Sequence, residues 1–287
     1  MSRYQTAFDR LEAKREGAFV PFIMLSDPTP EDALEIISTV VDAGADAVEL
    51  GVPFSDPVAD GPAIQGAHVR ALDGGSTVDK ALNQVRVLRE RYPELPIGML
   101  IYANVAYVRG LERFYREFHE AGADSILLPD VPVRESAPFS EAAVAQGIDP
   151  IYIAPARASR ETLEGVAANS RGYIYAISRD GVTGADNEAT VEGLREVVDN
   201  VRSFGGAPVL LGFGISKPQH VADAIAAGAT GAITGSAITN IIAKYVEHEH
   251  PNPGRVTDMD ALKAELTEYV RAMKVATAKS GGGTVKS

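Results

Sequence analysis

Ala43-Gly44-Ala45-Asp46-Ala47-Val48-Glu49-Leu50 returns as Ala121-Gly122-Ala123-Asp124-Ser125-Ile126-Leu127-Leu128, and again as Ala227-Gly228-Ala229-Thr230-Gly231-Ala232-Ile233-Thr234. Each copy closes a helical pattern on a glycine that can take a left-handed cap, then enters an apolar run of strand length. Working outward, further apolar runs occupy Ala18 to Leu25, Ile97 to Tyr102, Pro150 to Ala154, Tyr173 to Ile177 and Pro208 to Gly212. Helical patterns lie between them, near Val78–Arg91, Leu111–Ala121, Ser136–Gln146, Arg160–Ala168, Thr190–Ser203 and Pro218–Ala227. Thr29-Pro30-Glu31-Asp32 opens one more, with a threonine N-cap, a first-turn proline and two acids. The chain therefore reads as eight strand–helix units whose strands are too uniformly apolar for a sheet wet on one face. An open doubly wound sheet is one solution. Eight near-regular units without a second domain favour the other, an α/β fold of the closed (β/α)8 TIM barrel type.

Additions flank the barrel. Arg3 to Glu16 reads as a short amphipathic helix with Tyr4, Ala7, Phe8 and Leu11 on one face, and Met259 to about Ala278 as a C-terminal helical extension. Residues 1–278 are expected to form one barrel domain and residues 279–287, glycine-rich, a disordered tail.

The 287 residues match the size of a single barrel, and 45% hydrophobic with 23% charged residues is ordinary for a globular enzyme. A net charge of −12 argues against nucleic-acid or anionic-membrane surfaces, which call for excess Lys and Arg. The absence of cysteine excludes disulfides, thiolate metal sites and a cysteine nucleophile. The N-terminal residues carry no apolar signal region and no run is long enough to span a membrane, so a cytoplasmic enzyme is the expectation.

Glu49 interrupts the second apolar run, and an unpaired buried carboxylate is costly. The loop after it, Gly51 to Gly61, holds Asp56 and Asp60 between prolines and a glycine. In an apolar wall the Glu49 pKa should rise, suiting it to exchange protons near neutrality, while Asp60 on a more polar loop should stay ionised. The plainer alternative pairs Glu49 with an arginine such as Arg179. Barrel enzymes work at the C-terminal strand ends, where Gly214, Gly235 and Ser236 offer small turns and helix starts to a phosphate. No lysine sits at a strand end except Lys217, which reads as a helix start, so a Schiff base is disfavoured. His68, His119 and His220 fall on helices and His248 and His250 in a proline-flanked loop, so no metal site is expected. Carboxylates are left to act as acid and base.

The stretch Glu49-Leu50-Gly51-Val52-Pro53-Phe54-Ser55-Asp56-Pro57-Val58-Ala59-Asp60-Gly61 resembles the signature of the tryptophan synthase alpha subunit family. Gly61-Pro62-Ala63-Ile64-Gln65, Ser178-Arg179-Asp180-Gly181-Val182-Thr183-Gly184 and Gly212-Phe213-Gly214-Ile215-Ser216 extend the likeness, which runs from Tyr4 to about Met273. The resemblance implies retro-aldol cleavage of indole-3-glycerol phosphate to indole and glyceraldehyde 3-phosphate without a cofactor. It implies Glu49 as proton carrier, Asp60 on the indole nitrogen and Tyr175 positioning substrate and Glu49. Phe22, Ile64, Leu100, Leu127, Ile153 and Phe213 would form the indole slot. Gly184, Gly214, Gly235 and Ser236 would hold the phosphate under a closing loop from Gly181 to Asn187 that carries Thr183.

Pro53, Phe54 and Asp56 resemble the part of the loop that meets a beta subunit, in which pyridoxal phosphate joins indole to serine. An alpha2beta2 assembly with internal passage of indole follows from the same likeness. Two positions depart from the family pattern. Ser26 stands where glycine is commoner before Asp-Pro, so the first loop should differ slightly, and Asp180 puts a negative charge beside the phosphate-covering loop. The rival readings are another phosphate-binding barrel isomerase or aldolase, and a non-catalytic subunit that only activates a partner.

Overall fold

The computed structural model describes residues 2–177, 191–212 and 214–279. Parallel strands β1 (Ala18–Met24), β2 (Val48–Gly51), β3 (Ile97–Leu100), β4 (Ser125–Leu127), β5 (Asp149–Ile151), β6 (Ile153–Ala154), β7 (Ile174–Ala176), β8 (Val209–Leu211) and β9 (Gly231–Thr234) form one sheet. Its order is β5-β4-β3-β2-β1-β9-β8-β7-β6. The two ends, β5 and β6, are consecutive in the chain and separated only by Tyr152, so nine strands make eight staves and the barrel closes through one residue. Tyr152 completes the seam by accepting the Tyr175 amide at 3.1 Å. The fifth apolar run is thus two short strands, one facing β4 and the other β7.

The repeated stretch does what its residues dictate. Gly44, Gly122 and Gly228 all take positive φ, at 119°, 105° and 100°, where a side chain would be strained. The aspartate two residues on pins the start of a neighbouring strand: Asp46 accepts the Phe19 amide at 2.9 Å and Asp124 the Ile97 amide at 2.8 Å. In the third copy Thr230 does the same through its carbonyl, which accepts the Ala18 amide at 2.9 Å.

Helix α1 (Arg3–Ala13) buries Tyr4, Ala7, Phe8 and Leu11 as its pattern requires. Tyr4, Phe8 and Leu11 join the cluster inside the barrel, with Val20, Phe22, Met24, Tyr173 and Tyr175. Helix α2 (Pro30–Asp42) starts under a Thr29 cap that accepts the Asp32 amide at 3.2 Å. Helix α3 (Pro62–Asp73), which the helical patterns above omit, begins at a Gly-Pro pair directly after the Asp60 loop. Helix α4 (Val78–Arg91) leads to β3, and the short α5 (Ala103–Arg109), also omitted above, follows β3 before α6 (Leu111–Ala121). Helices α7 (Ala137–Ala145), α8 (Arg160–Asn169), α9 (Val191–Ser203), α10 (Pro218–Ala226) and α11 (Ser236–Lys244) complete the ring. The C-terminal α12 (Met259–Val275) buries Leu262, Leu266, Val270 and Met273. Lys279 is anchored through its amide to the Arg15 carbonyl at 2.8 Å, so the described chain is tied down one residue into the expected tail. Residues 280–287 lie outside the described residues.

Ser26 takes φ 63°, a left-handed conformation that glycine adopts more easily than serine. It is fully buried and compensated: its amide donates to Gln84 Oε1 at 3.1 Å, and its hydroxyl accepts from Gln84 Nε2 at 2.7 Å. Next to it, Asp27 receives a two-pronged hydrogen bond from Arg70 of α3, 2.7 Å on each oxygen, with both groups buried. His248 and His250 close on one oxygen of Asp73, each at 2.8 Å, and hold that carboxyl below its usual range.

Candidate active site

Strand alternation turns Glu49 into the barrel, and register sets it beside Phe22 of β1 and Gly98 of β3. The missing side chain at Gly98 leaves room for two phenols: a Cβ there would lie 2.8 Å from the Tyr4 hydroxyl and 3.6 Å from that of Tyr173. Tyr173 donates to Glu49 Oε1 at 2.6 Å, and Tyr4 shares a hydrogen bond of 2.9 Å with Ser125 Oγ. Glu49 is 0% exposed and its Oε2 is buried without a hydrogen-bond partner among the described residues. Burial pushes the carboxyl up to about 7; the Tyr173 hydrogen bond pulls the other way and the Asp60 charge adds a smaller push. Burial also holds the Tyr4, Tyr173 and Tyr175 phenols well above their ordinary range, so each stays a donor.

Tyr173→Phe removes the one contact among the described residues that lowers Glu49. Its titration midpoint, followed by the carboxyl infrared band, is expected to rise by about one unit. An unchanged midpoint would mean that burial alone sets it.

The tyrosine on Glu49 is Tyr173 rather than Tyr175. Tyr175 donates to the Gly212 carbonyl at 2.8 Å and lines the cavity. Gly212 makes this possible, since a Cβ there would come within 1.9 Å of the Tyr175 ring. Arg179, the alternative partner of Glu49, lies outside the described residues.

Asp60, on the loop before α3, is buried, at 5% exposed, among polar partners. Its Oδ2 receives the Tyr102 hydroxyl at 2.8 Å and meets His68 Nε2 at 3.1 Å. The sequence places Tyr102 at the end of the third strand but does not bring it or His68 to Asp60, because the contact requires α3 and the end of β3 to converge on the loop.

Glu49 and Asp60 share one cavity of about 520 Å³, part of it open to solvent, with Phe22, Ile64, Leu100 and Tyr175 as apolar walls. Leu127 and Ile153 pack in the same interior cluster but do not line it. Gly214, Gly235 and Ser236 stand in the lining, joined by Ile215, Ser216 and Ala237. Ser236 is the first residue of α11, so the helix opens its unpaired amides and positive end onto the cavity. Thr183, Gly184, Phe213 and Asp180 lie outside the described residues. Pro53 and Phe54 are half-buried and Asp56 is exposed, accepting a hydrogen bond from Ser55. The arrangement offers a proton carrier near neutrality, a second carboxylate, apolar walls and a helix N-terminus suited to an anion.

A sequence profile described as Tryptophan synthase alpha chain matches residues 8–274. The chain belongs to the tryptophan synthase alpha chain family. The Corynebacterium glutamicum tryptophan synthase alpha chain is 71% identical over 279 residues, covering 97% of this chain and all of its own length. The alpha chain of Shewanella baltica is 51% identical over 275 residues, 96% of this chain and 97% of its own. Among solved structures, tryptophan synthase subunit alpha from Legionella pneumophila superposes with a TM-score of 0.83 at 29% identity, covering 96% of this chain and 98% of that one. A chain of Mycobacterium tuberculosis tryptophan synthase gives 0.82 at 26% identity with coverage of 96% and 98%. The resemblance carried by Glu49 to Gly61 therefore extends to family membership over nearly the whole length. Among the described residues, no helix is long and apolar enough to cross a membrane.

Proposed function

We propose that this cavity cleaves indole-3-glycerol phosphate to indole and glyceraldehyde 3-phosphate, the lyase half of L-tryptophan synthesis, by a retro-aldol reaction without a cofactor. One observation supports the reading above all: Glu49, with a pKa of about 7, lines the same cavity as Asp60 and the start of α11.

Protonated Glu49 delivers its proton to C3 of the indole, making the ring an indolenine cation. The Asp60 carboxylate accepts the ring N–H and offsets the positive charge. Glu49, now a carboxylate, takes the proton of the side-chain hydroxyl. The bond from C3 to the side chain breaks, its electron pair restores neutral indole, and the hydroxyl-bearing carbon leaves as an aldehyde. One proton is given and one taken, so Glu49 ends as it began. Phe22, Ile64, Leu100 and Tyr175 flank the ring, with Leu127 and Ile153 behind them, and the family resemblance adds Phe213 to the slot. Gly184, Gly214, Gly235 and Ser236 hold the phosphate, assisted by the α11 dipole. The family resemblance assigns residues Gly181 to Asn187, with Thr183, to covering the substrate and excluding water; they lie outside the described residues.

The partner is the beta subunit, in a cytoplasmic alpha2beta2 assembly in which pyridoxal phosphate belongs to beta and indole passes internally. Pro53, Phe54 and Asp56 face it. Purified chain mixed with indole-3-glycerol phosphate is expected to release indole, faster with beta subunit present; no indole under either condition overturns the reading. Asp56→Ala is expected to weaken beta-subunit stimulation more than intrinsic cleavage. Equal losses in the two assays would move Asp56 from the interface into the active site.

A further inference from the structure

We infer that His68 is a positioning residue that sets Asp60 and ties it to the partner-facing loop; this rests on the reading of Asp60 as the group that steadies the indole nitrogen. His68 is 2% exposed on α3. Its Nδ1 accepts the Phe54 amide at 2.9 Å, so the ring proton sits on Nε2. Nε2 therefore donates to Asp60 Oδ2, 3.1 Å away. The imidazole is a neutral relay with one hand on the catalytic carboxylate and the other on the loop backbone.

Tyr102 makes a parallel tie. It donates to the same Asp60 oxygen at 2.8 Å and accepts the Ala59 amide at 3.0 Å. Its ring stacks on Phe54, centroids 5.3 Å apart, and lies 6.2 Å from the His68 ring. The loop from Phe54 to Asp60 is thus pinned near both ends by two side chains that converge on one carboxylate oxygen. Two donors on that oxygen fix its rotamer, which is what a charge-stabilising group requires before the cation forms. A movement of Phe54 imposed by a docked partner would reach Asp60 through the His68 imidazole and, in parallel, through the Tyr102 ring stacked on Phe54.

The test compares His68→Leu, which removes both hydrogen bonds, with His68→Asn and His68→Gln, whose amides each carry one donor and one acceptor. Indole release is measured with and without beta subunit, with fold integrity followed by near-ultraviolet circular dichroism and Asp60→Asn run in parallel. The expected result for His68→Leu is a kcat about 10 to 100-fold lower with KM changed by less than about threefold, since misplacing Asp60 acts in the transition state. Its stimulation by beta subunit should fall as well, and the better of the two amide variants should return kcat to within about threefold of the parent. A parental kcat in His68→Leu, undiminished stimulation, or folded amide variants no better than leucine would overturn the inference. If Asp60→Asn is itself fully active, the reading of Asp60 fails instead, and the two failures are told apart.

Discussion

Glu49→Gln is expected to release indole about 10³-fold more slowly than the parent or worse, because one side chain serves as both acid and base. The amide matches the carboxyl in shape and can still accept from Tyr173, so the fold should persist. The same variant reports on the origin of the raised pKa. Glu49 binds its proton more tightly folded than unfolded, at about 7 against an ordinary 4.5. The folded state therefore loses stability as pH rises from about 4.5 to about 7 and is level above that. Glutamine does not titrate. Measured by denaturant unfolding, the stability of Glu49→Gln relative to the parent should improve by roughly 3 kcal/mol between pH 4 and pH 8. A difference that stays constant with pH would contradict desolvation as the cause.

Arg70→Leu is expected to destabilise the fold by about 3–5 kcal/mol at neutral pH, since it strands Asp27 in the interior without its two-pronged partner. For a chain of this size that lowers Tm by roughly 5–8 °C. Burial already holds the Asp27 carboxyl above its usual range despite Arg70, which pulls it down. Removing the guanidinium leaves burial unopposed, so the variant should lose least at acid pH, where Asp27 can protonate. Adding Asp27→Asn should recover part of the loss, because a neutral amide is cheaper to bury than an unpaired charge. Thermal unfolding of the single and double variants measures both effects, and additive losses would mean that the pair is not energetically coupled.

These two sites differ in how they show in the sequence. Glu49 is legible because a charge inside a strand-length apolar run has few structural uses. The barrel is legible because Gly44, Gly122 and Gly228 mark the same helix-to-strand junction three times. Arg70 and His68 are not, since their partners are 43 and 8 residues away and meet them only once α3 has been laid against the loops. Helix α3 itself carries a readable signal, Gly61-Pro62 followed by Ile64, Ala67, His68 and Ala71 at helical spacing. At 7 residues, α5 is too short for periodicity to register. Tyr173 and Tyr175 share a strand face at a spacing of two, so the pattern says that both point inward and not which reaches Glu49. The break at Tyr152 reflects a stave changing neighbours at the closing seam, which only the assembled barrel imposes.

Proton carriage by Glu49 is tested most directly by kcat/KM for indole release from indole-3-glycerol phosphate across pH 5 to 9, which reports the ionisation of the free enzyme. The reaction starts from protonated Glu49. The expected profile therefore bends at about 7 and falls tenfold per unit on the alkaline side, with the bend absent from any residual activity of Glu49→Gln. A profile that stays flat from pH 7 to 9, or the same bend in Glu49→Gln, would contradict it.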